Sequence, residues 1–177
     1  MIYSAYIYKK ANNLVFKYGT RDVVKLAAEI GVDVQYSGSL GKLLGMYVYR
    51  WQHRAIFLNT NMDEYLTQMV CGHELGHDTF HRNLAKGTCL HEFELFRMKN
   101  TTEYEANAFA AHLLIDTDEC LEYARNGYDV VQTAQSMNSE INLMLIKLQE
   151  LNRMGYNLSL PMEPQNDFLR NISVELQ

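Results

Sequence analysis

At 177 residues and 47% hydrophobic content, the chain can bury the core of one domain, with room for a small appendage. A net charge of −5 argues against a general polyanion binder, and no run of about 18 apolar residues marks a membrane span. Three cysteines without regular spacing suit reduced cytosolic thiols better than a disulfide frame, and residues 1–10 lack the long apolar stretch of an export signal.

Residues 21–30 are predicted to form a short helix, capped by Thr20 and stopped at Gly31. A strand is expected over 32–36. The runs 44–50 and 55–59 are rich in Tyr, Val, Ile and Phe around a short polar stretch, which predicts a hairpin. Residues 56–59 are expected to edge a cleft, where an extended peptide can add by backbone hydrogen bonds.

Next comes His73-Glu74-Leu75-Gly76-His77, an H-E-x-x-H run. Leu66, Met69, Val70, His73, His77 and Phe80 recur at three- and four-residue steps, the period of a helix, with Asn61 or Asp63 as its cap. At i and i+4 both imidazoles project from one face and can reach one tetrahedral metal ion. Glu74 sits about 100° further round the helix. It therefore flanks the metal instead of binding it, which suits a base acting on water. The competing reading is a hydrogen-bonded pair of core histidines.

A catalytic site of this type needs a third protein ligand and one open position. The position six residues past His77, where one class of these enzymes carries another histidine, holds Asn83. Residues 101–114 read as an Ala-rich helix without Gly or Pro, capped by Thr101 or Thr102. Glu103, Ala106, Asn107, Ala110 and Leu114 share one face. Glu105 lies about 200° from Glu103 and is expected to face water, so Glu103 is the third ligand. Gly72 and Gly76 pair with the small residues Ala106 and Ala110, so the two helices should nearly touch. His81, one turn past His77, could donate to the site's outer shell; the preferred reading is a partly exposed last-turn histidine favoured by the helix dipole. Residues 82–100 read as a polar connection, in which Cys89 and His91 lack partners for a second metal.

Residues 118–125, 130–137 and 139–154 are predicted helices, the last two separated by a break at Asn138. Their order suggests a helix-turn-helix shape. From residue 126 on, Lys147, Arg153 and Arg170 face Asp129, Glu140, Glu150, Glu163, Asp167 and Glu175. Phosphate binding needs the opposite balance, so direct nucleic-acid binding is not expected. The class is α+β, with a small antiparallel sheet ahead of the motif helix. The organisation expected is a metal-site domain over 1–117 and a helical subdomain over 118–177, with a loosely ordered tail from Pro161 and Pro164.

The chain resembles the ImmA/IrrE family of zinc metallopeptidases. The likeness runs in order through Tyr18-Gly19-Thr20-Arg21-Asp22, Gly45-Met46-Tyr47, Leu58-Asn59, His-Glu-Leu-Gly-His at 73–77, and Glu-x-Glu-Ala-Asn-x-Phe-Ala-Ala-x-Leu-Leu at 103–114. It extends into Gly127-Tyr128-Asp129 and the helical pair that follows. The resemblance implies a zincin-like fold of the gluzincin type and a cytosolic, site-specific protease encoded by bacteria, phages or integrative elements. Its expected substrate is a helix-turn-helix repressor, often encoded next door, whose cleavage relieves repression. Matched residue by residue, His73, His77 and Glu103 are the Zn2+ ligands and Glu74 is the base. Ile115-Asp116 replaces the family's common Met-Pro, and His112 stands where an acidic residue is frequent; both bear on helix termination, not on the metal face.

The chemistry expected is peptide hydrolysis, with Glu74 taking a proton from water and passing it to the leaving amine. Tyr104 and His81 are candidates for stabilising the oxyanion, and neither is assigned. The rival class is a non-catalytic antirepressor that titrates its regulator and keeps zinc as a structural pin. Structural zinc normally has four protein ligands, and three are found here, which favours the enzyme.

Overall fold

The structure, a computed structural model, describes residues 3–85, 89–92, 101–158 and 160. The tail expected from Pro161 lies outside them. Seven helices and one four-stranded sheet occupy the described residues, so the class is α+β.

The first helix, α1 (Ser4–Tyr18), is not among the predicted elements. It buries Ile7 and Ala11 against a helix far along the chain. It ends at Gly19, whose φ of 64° turns the chain into the left-handed region so that its N–H bonds the Val15 carbonyl. The second, α2 (Val23–Glu29), begins two residues later than predicted, with Asp22 as its cap. Thr20 Oγ1 instead accepts from the Asp22 N–H at 3.1 Å, and so shapes the turn before the cap.

Strands β1 (Asp33–Ser37), β2 (Gly45–Arg50) and β3 (His53–Asn59) follow. The predicted hairpin is β2–β3, closed between Arg50 and His53 by Trp51 and Gln52. Both of these hold positive φ, 48° and 67°, in a connection that usually takes Asn-Gly. The strand order is β1-β3-β2-β4. Because β1 runs parallel to β3, the sheet is mixed, not wholly antiparallel. It also makes β3 an interior strand, paired on both flanks, so 56–59 offers no free edge to a peptide. Strand β4 (Cys89–Glu92), inside the stretch read as a polar connection, pairs antiparallel with β2 and is one edge of the sheet.

Helices α3 (Glu64–Phe80) and α4 (Thr101–Leu114) form the most extensive helix pair. Asp63 caps α3 by accepting from Leu66 N–H. The pairing depends on the two glycines. A Cβ at Gly76 would stand 2.8 Å from Ala106 Cα, and one at Gly72 would stand 3.1 Å from Ala110 Cβ. The close approach expected from small residues on both helices is therefore present. Asp78 secures α3 to the hairpin, accepting from Tyr47 Oη at 2.7 Å and from Arg54 Nη1 at 3.1 Å.

Helices α5 (Thr117–Arg125), α6 (Val130–Ser136) and α7 (Ile141–Arg153) match the three predicted C-terminal helices to within a few residues. Asn138, at φ 46°, makes the break between α6 and α7. Asp116, where the family commonly has proline, caps α5 and pairs with Arg21 at 2.6 Å. Asp116 thus starts the next helix directly after α4. Helix α7 packs on α4 and α1, burying Leu143, Met144, Ile146 and Leu151. Among the described residues, no helix is long and apolar enough to cross a membrane.

Candidate metal centre

Helix α3 carries His73, Glu74 and His77 in its last two turns, all buried. Helix α4 brings Glu103 from its first turn, with 22% of its side chain still exposed. Three ligand atoms converge. His73 Nε2 lies 3.0 Å from His77 Nε2. Glu103 Oε2 lies 3.2 Å from the first and 3.6 Å from the second. Tetrahedral zinc with bonds of about 2.0–2.1 Å separates its ligand atoms by about 3.3 Å. The observed triangle is therefore the size that ion requires, and its donors, two imidazoles and a carboxylate, are ones zinc accepts. Among the described residues it is the one group of three such side chains able to share a metal.

The hydrogen bonds behind the histidines agree with that use. His73 Nδ1 lies 2.9 Å from Asn107 Oδ1. An amide oxygen only accepts, so Nδ1 carries the proton and Nε2 presents its lone pair to the triangle. Asn107 lies one turn past Glu103 on the face predicted for it, but sequence reasoning assigned it no role. The signal was its spacing from Glu103; the partner became visible only when α3 and α4 were packed together.

Burial and mutual contact also shift the ionisable groups of the site. Burial is the largest effect on His77 and holds its pKa down, with His73 and His81 adding to it and Glu103 opposing. Burial pushes the Glu103 carboxyl up, yet contact with His73 and His77, which stabilises the carboxylate when their Nε2 atoms carry protons, outweighs it and holds it well below the usual carboxylate range. Neutral imidazoles and an ionised carboxylate are the forms that bind a metal.

Glu74 abuts strand β2. A Cβ at Gly45 would stand 3.3 Å from Glu74 Oε1 and 2.5 Å from Val70 Cγ1, so only glycine lets the strand lie this close. Two other expectations are corrected. His81 is buried at the end of α3, with Nδ1 3.0 Å from His77 Nδ1 and Nε2 3.0 Å from Glu105 Oε2. It is not a half-exposed dipole partner, and Glu105 does not simply face water: the close crossing of α3 and α4 sets the end of one beside the flank of the other. Tyr104 points away from the triangle, its hydroxyl donating to Glu150 Oε1 of α7 at 2.8 Å. The side chains of Cys89 and His91 lie outside the described residues.

The family model for the IrrE N-terminal-like domain, Peptidase M78, matches residues 27–148. The chain is 33% identical over 102 residues to "uncharacterized immunity region protein 2" of Bacillus phage phi105. That alignment covers 58% of the chain and 63% of the phage protein, so less than two-thirds of the relative's length is spanned. No solved structure matches. The motif helix, the Glu103 helix and the hairpin all fall within the matched region, and the chain belongs to the IrrE N-terminal-like domain family of metallopeptidases.

Proposed function

We propose that this protein is a cytoplasmic zinc endopeptidase that cleaves a helix-turn-helix repressor and so relieves repression of a prophage, mobile element or stress response. The observation carrying the reading is the triangle of His73 Nε2, His77 Nε2 and Glu103 Oε2, sized for tetrahedral zinc, with Glu74 adjoining it on the same helix. The phage relative's name places that protein in an immunity region, which supports a repressor as the substrate.

In this reading His73, His77 and Glu103 hold the ion, and among the described residues no other His, Cys, Asp or Glu joins them. Bound zinc supplies Lewis acidity, polarising the scissile carbonyl and acidifying water toward a pKa of about 7. Glu74 takes the water's proton and delivers it to the leaving amine. The missing side chain of Gly45 leaves room for this carboxylate against β2. The peptidase unit is 1–117, and the helices after it, through Arg153, hold the core or grip the partner.

The test pairs metal analysis with incubation against candidate helix-turn-helix repressors from the same genome. One zinc per chain and a cut repressor are expected, and Glu74→Gln should keep fold and zinc while cleavage falls by about 10²–10⁴-fold. Cleavage by Glu74→Gln at the wild-type rate would remove Glu74 from its role. A zinc-loaded wild type that binds the repressor and never cuts it would replace the peptidase by the antirepressor.

A further inference from the structure

The metal triangle is backed by a chain of hydrogen bonds whose far end lies outside the ligand set. His81 is the first residue beyond α3, buried, with its ring 5.1 Å centroid to centroid from that of His77. Its two nitrogens are both engaged, Nδ1 with His77 Nδ1 and Nε2 with Glu105 Oε2, each at 3.0 Å. Two nitrogens that face each other at this distance share one proton, so the direction of the chain has to be decided by its ends.

Glu105 decides it. An ionised carboxylate only accepts, so His81 Nε2 is the donor. With its one ring proton held there, His81 offers a lone pair at Nδ1 to the His77 Nδ1 proton. With its proton at Nδ1, His77 leaves its Nε2 lone pair toward Glu103 and His73. The chain so ordered ends in the tautomer that a metal ligand needs.

We infer that His81 and Glu105 are positioning residues for the metal centre, a carboxylate–imidazole relay that fixes the tautomer and orientation of His77. The inference rests on the metal reading proposed above and extends it to residues that touch neither metal nor substrate. His73 has a one-step counterpart in Asn107. His77 differs because its acceptor is itself a histidine, oriented by a charge on the other helix. The relay thus couples the end of α3 to the first turns of α4 independently of Glu103. Outer partners of metal-bound histidines typically contribute about 10- to 100-fold in metal affinity.

The experiment measures zinc affinity by chelator competition, cobalt(II) absorption, and thermal melting of the metal-free proteins. The proteins compared are full-length wild type, His81→Phe, His81→Gln and Glu105→Ala. Glutamine can accept from His77 with its oxygen and donate to Glu105 with its nitrogen; phenylalanine can do neither. Expected are zinc affinities lower by about 10- to 100-fold in His81→Phe and by about 10-fold in Glu105→Ala. His81→Gln should return to within a few-fold of wild type, and the tetrahedral cobalt spectrum should be perturbed in the phenylalanine variant alone of the two. Glu105 is partly exposed, so Glu105→Ala keeps the test open should His81→Phe not fold. Wild-type zinc affinity in Glu105→Ala and in any folded His81→Phe overturns the relay, as does His81→Gln binding as weakly as His81→Phe with unchanged metal-free melting. A wild type that takes up no zinc overturns the metal reading itself, and the relay with it.

Discussion

Two buried histidine clusters lie along α4. Near its start, His73 and His77 donate outward through Nδ1 and turn their Nε2 lone pairs toward Glu103. Near its end, His112 points Nδ1 at the Lys147 ammonium, 3.1 Å away, and Lys147 also donates to Thr117 Oγ1 at 2.8 Å. Both clusters are almost wholly buried, and in both burial lowers the histidine pKa. They differ in where the lone pairs go. At His112 a cation already faces Nδ1 and, among the described residues, no carboxylate converges on it, so the cluster fastens α4 to α7. At His73 and His77 the outer nitrogens face Asn107 and His81, and the inner ones converge with Glu103 Oε2. A buried histidine is therefore not by itself evidence of a ligand; a converging carboxylate and an acceptor behind the ring are.

The sharpest way to break this comparison is Glu103→Ala. It should remove zinc and cleavage together, with metal analysis falling from one ion per chain to a trace, because two imidazoles alone are a poor site. Retained stoichiometric zinc would mean that another group supplies the third ligand.

Gly76→Val tests whether contact distance between the helices is needed. Its Cβ would meet backbone atoms of Ala106, including the carbonyl oxygen at 3.1 Å, which cannot move without moving α4. A loss of about 3 kcal/mol in urea unfolding is expected, together with weaker zinc binding. A stable variant with normal zinc affinity would show that the helices have room to separate.

Tyr104→Phe acts on the side of α4 that faces α7. Glu150 would lose the Tyr104 hydroxyl and keep Arg153 Nη1 at 2.8 Å. The expected cost is about 1–3 kcal/mol of stability, read by denaturation, with zinc affinity and cleavage rate unchanged. A selective fall in turnover would bring Tyr104 back as an oxyanion donor.

The smallest effect is expected from Lys147→Met. Burial holds the Lys147 pKa down, to about 7, against an ordinary value of 10.5. Between those two values the unfolded chain binds more protons than the folded one, so this group's contribution to stability rises with pH. Its burial penalty is complete below pH 7 and fades toward 10.5. Methionine removes it, so the variant should match or exceed wild type at pH 7 by no more than about 1 kcal/mol. That advantage should shrink as the pH approaches 10. A variant that loses several kcal/mol at every pH would instead make the ammonium a necessary clamp.

Much of this was legible from neighbouring residues. The spacing of His73 and His77, the apolar period of α3, the hairpin flanking Trp51 and Gln52, and the three C-terminal helices are all local patterns. The facing sets Gly72 and Gly76, Ala106 and Ala110 foretold a close helix pair, and the shared face of Glu103 followed from helical period alone. Helix α1 was missed although Ile7, Ala11, Leu14, Val15 and Tyr18 fall at helical steps, because its stripe is narrow and interrupted by lysines and asparagines. The start of α2 was misplaced because Thr20 and Asp22 are both good caps, and only the fold chooses between them.

By itself, then, the sequence determined the chemistry on offer: which residue types stand at metal-ligand spacing, on which helical face, and with what net charge around them. Tertiary structure decided everything that depends on two segments meeting. It placed β3 between two strands instead of at an edge, turned Tyr104 toward Glu150, and carried His81 to Glu105. The physical reason is the range of the forces that set each feature. Periodicity and capping act within a few residues, whereas the direction of a hydrogen bond between α3 and α4 depends on the distance and angle at which the whole core lets them cross.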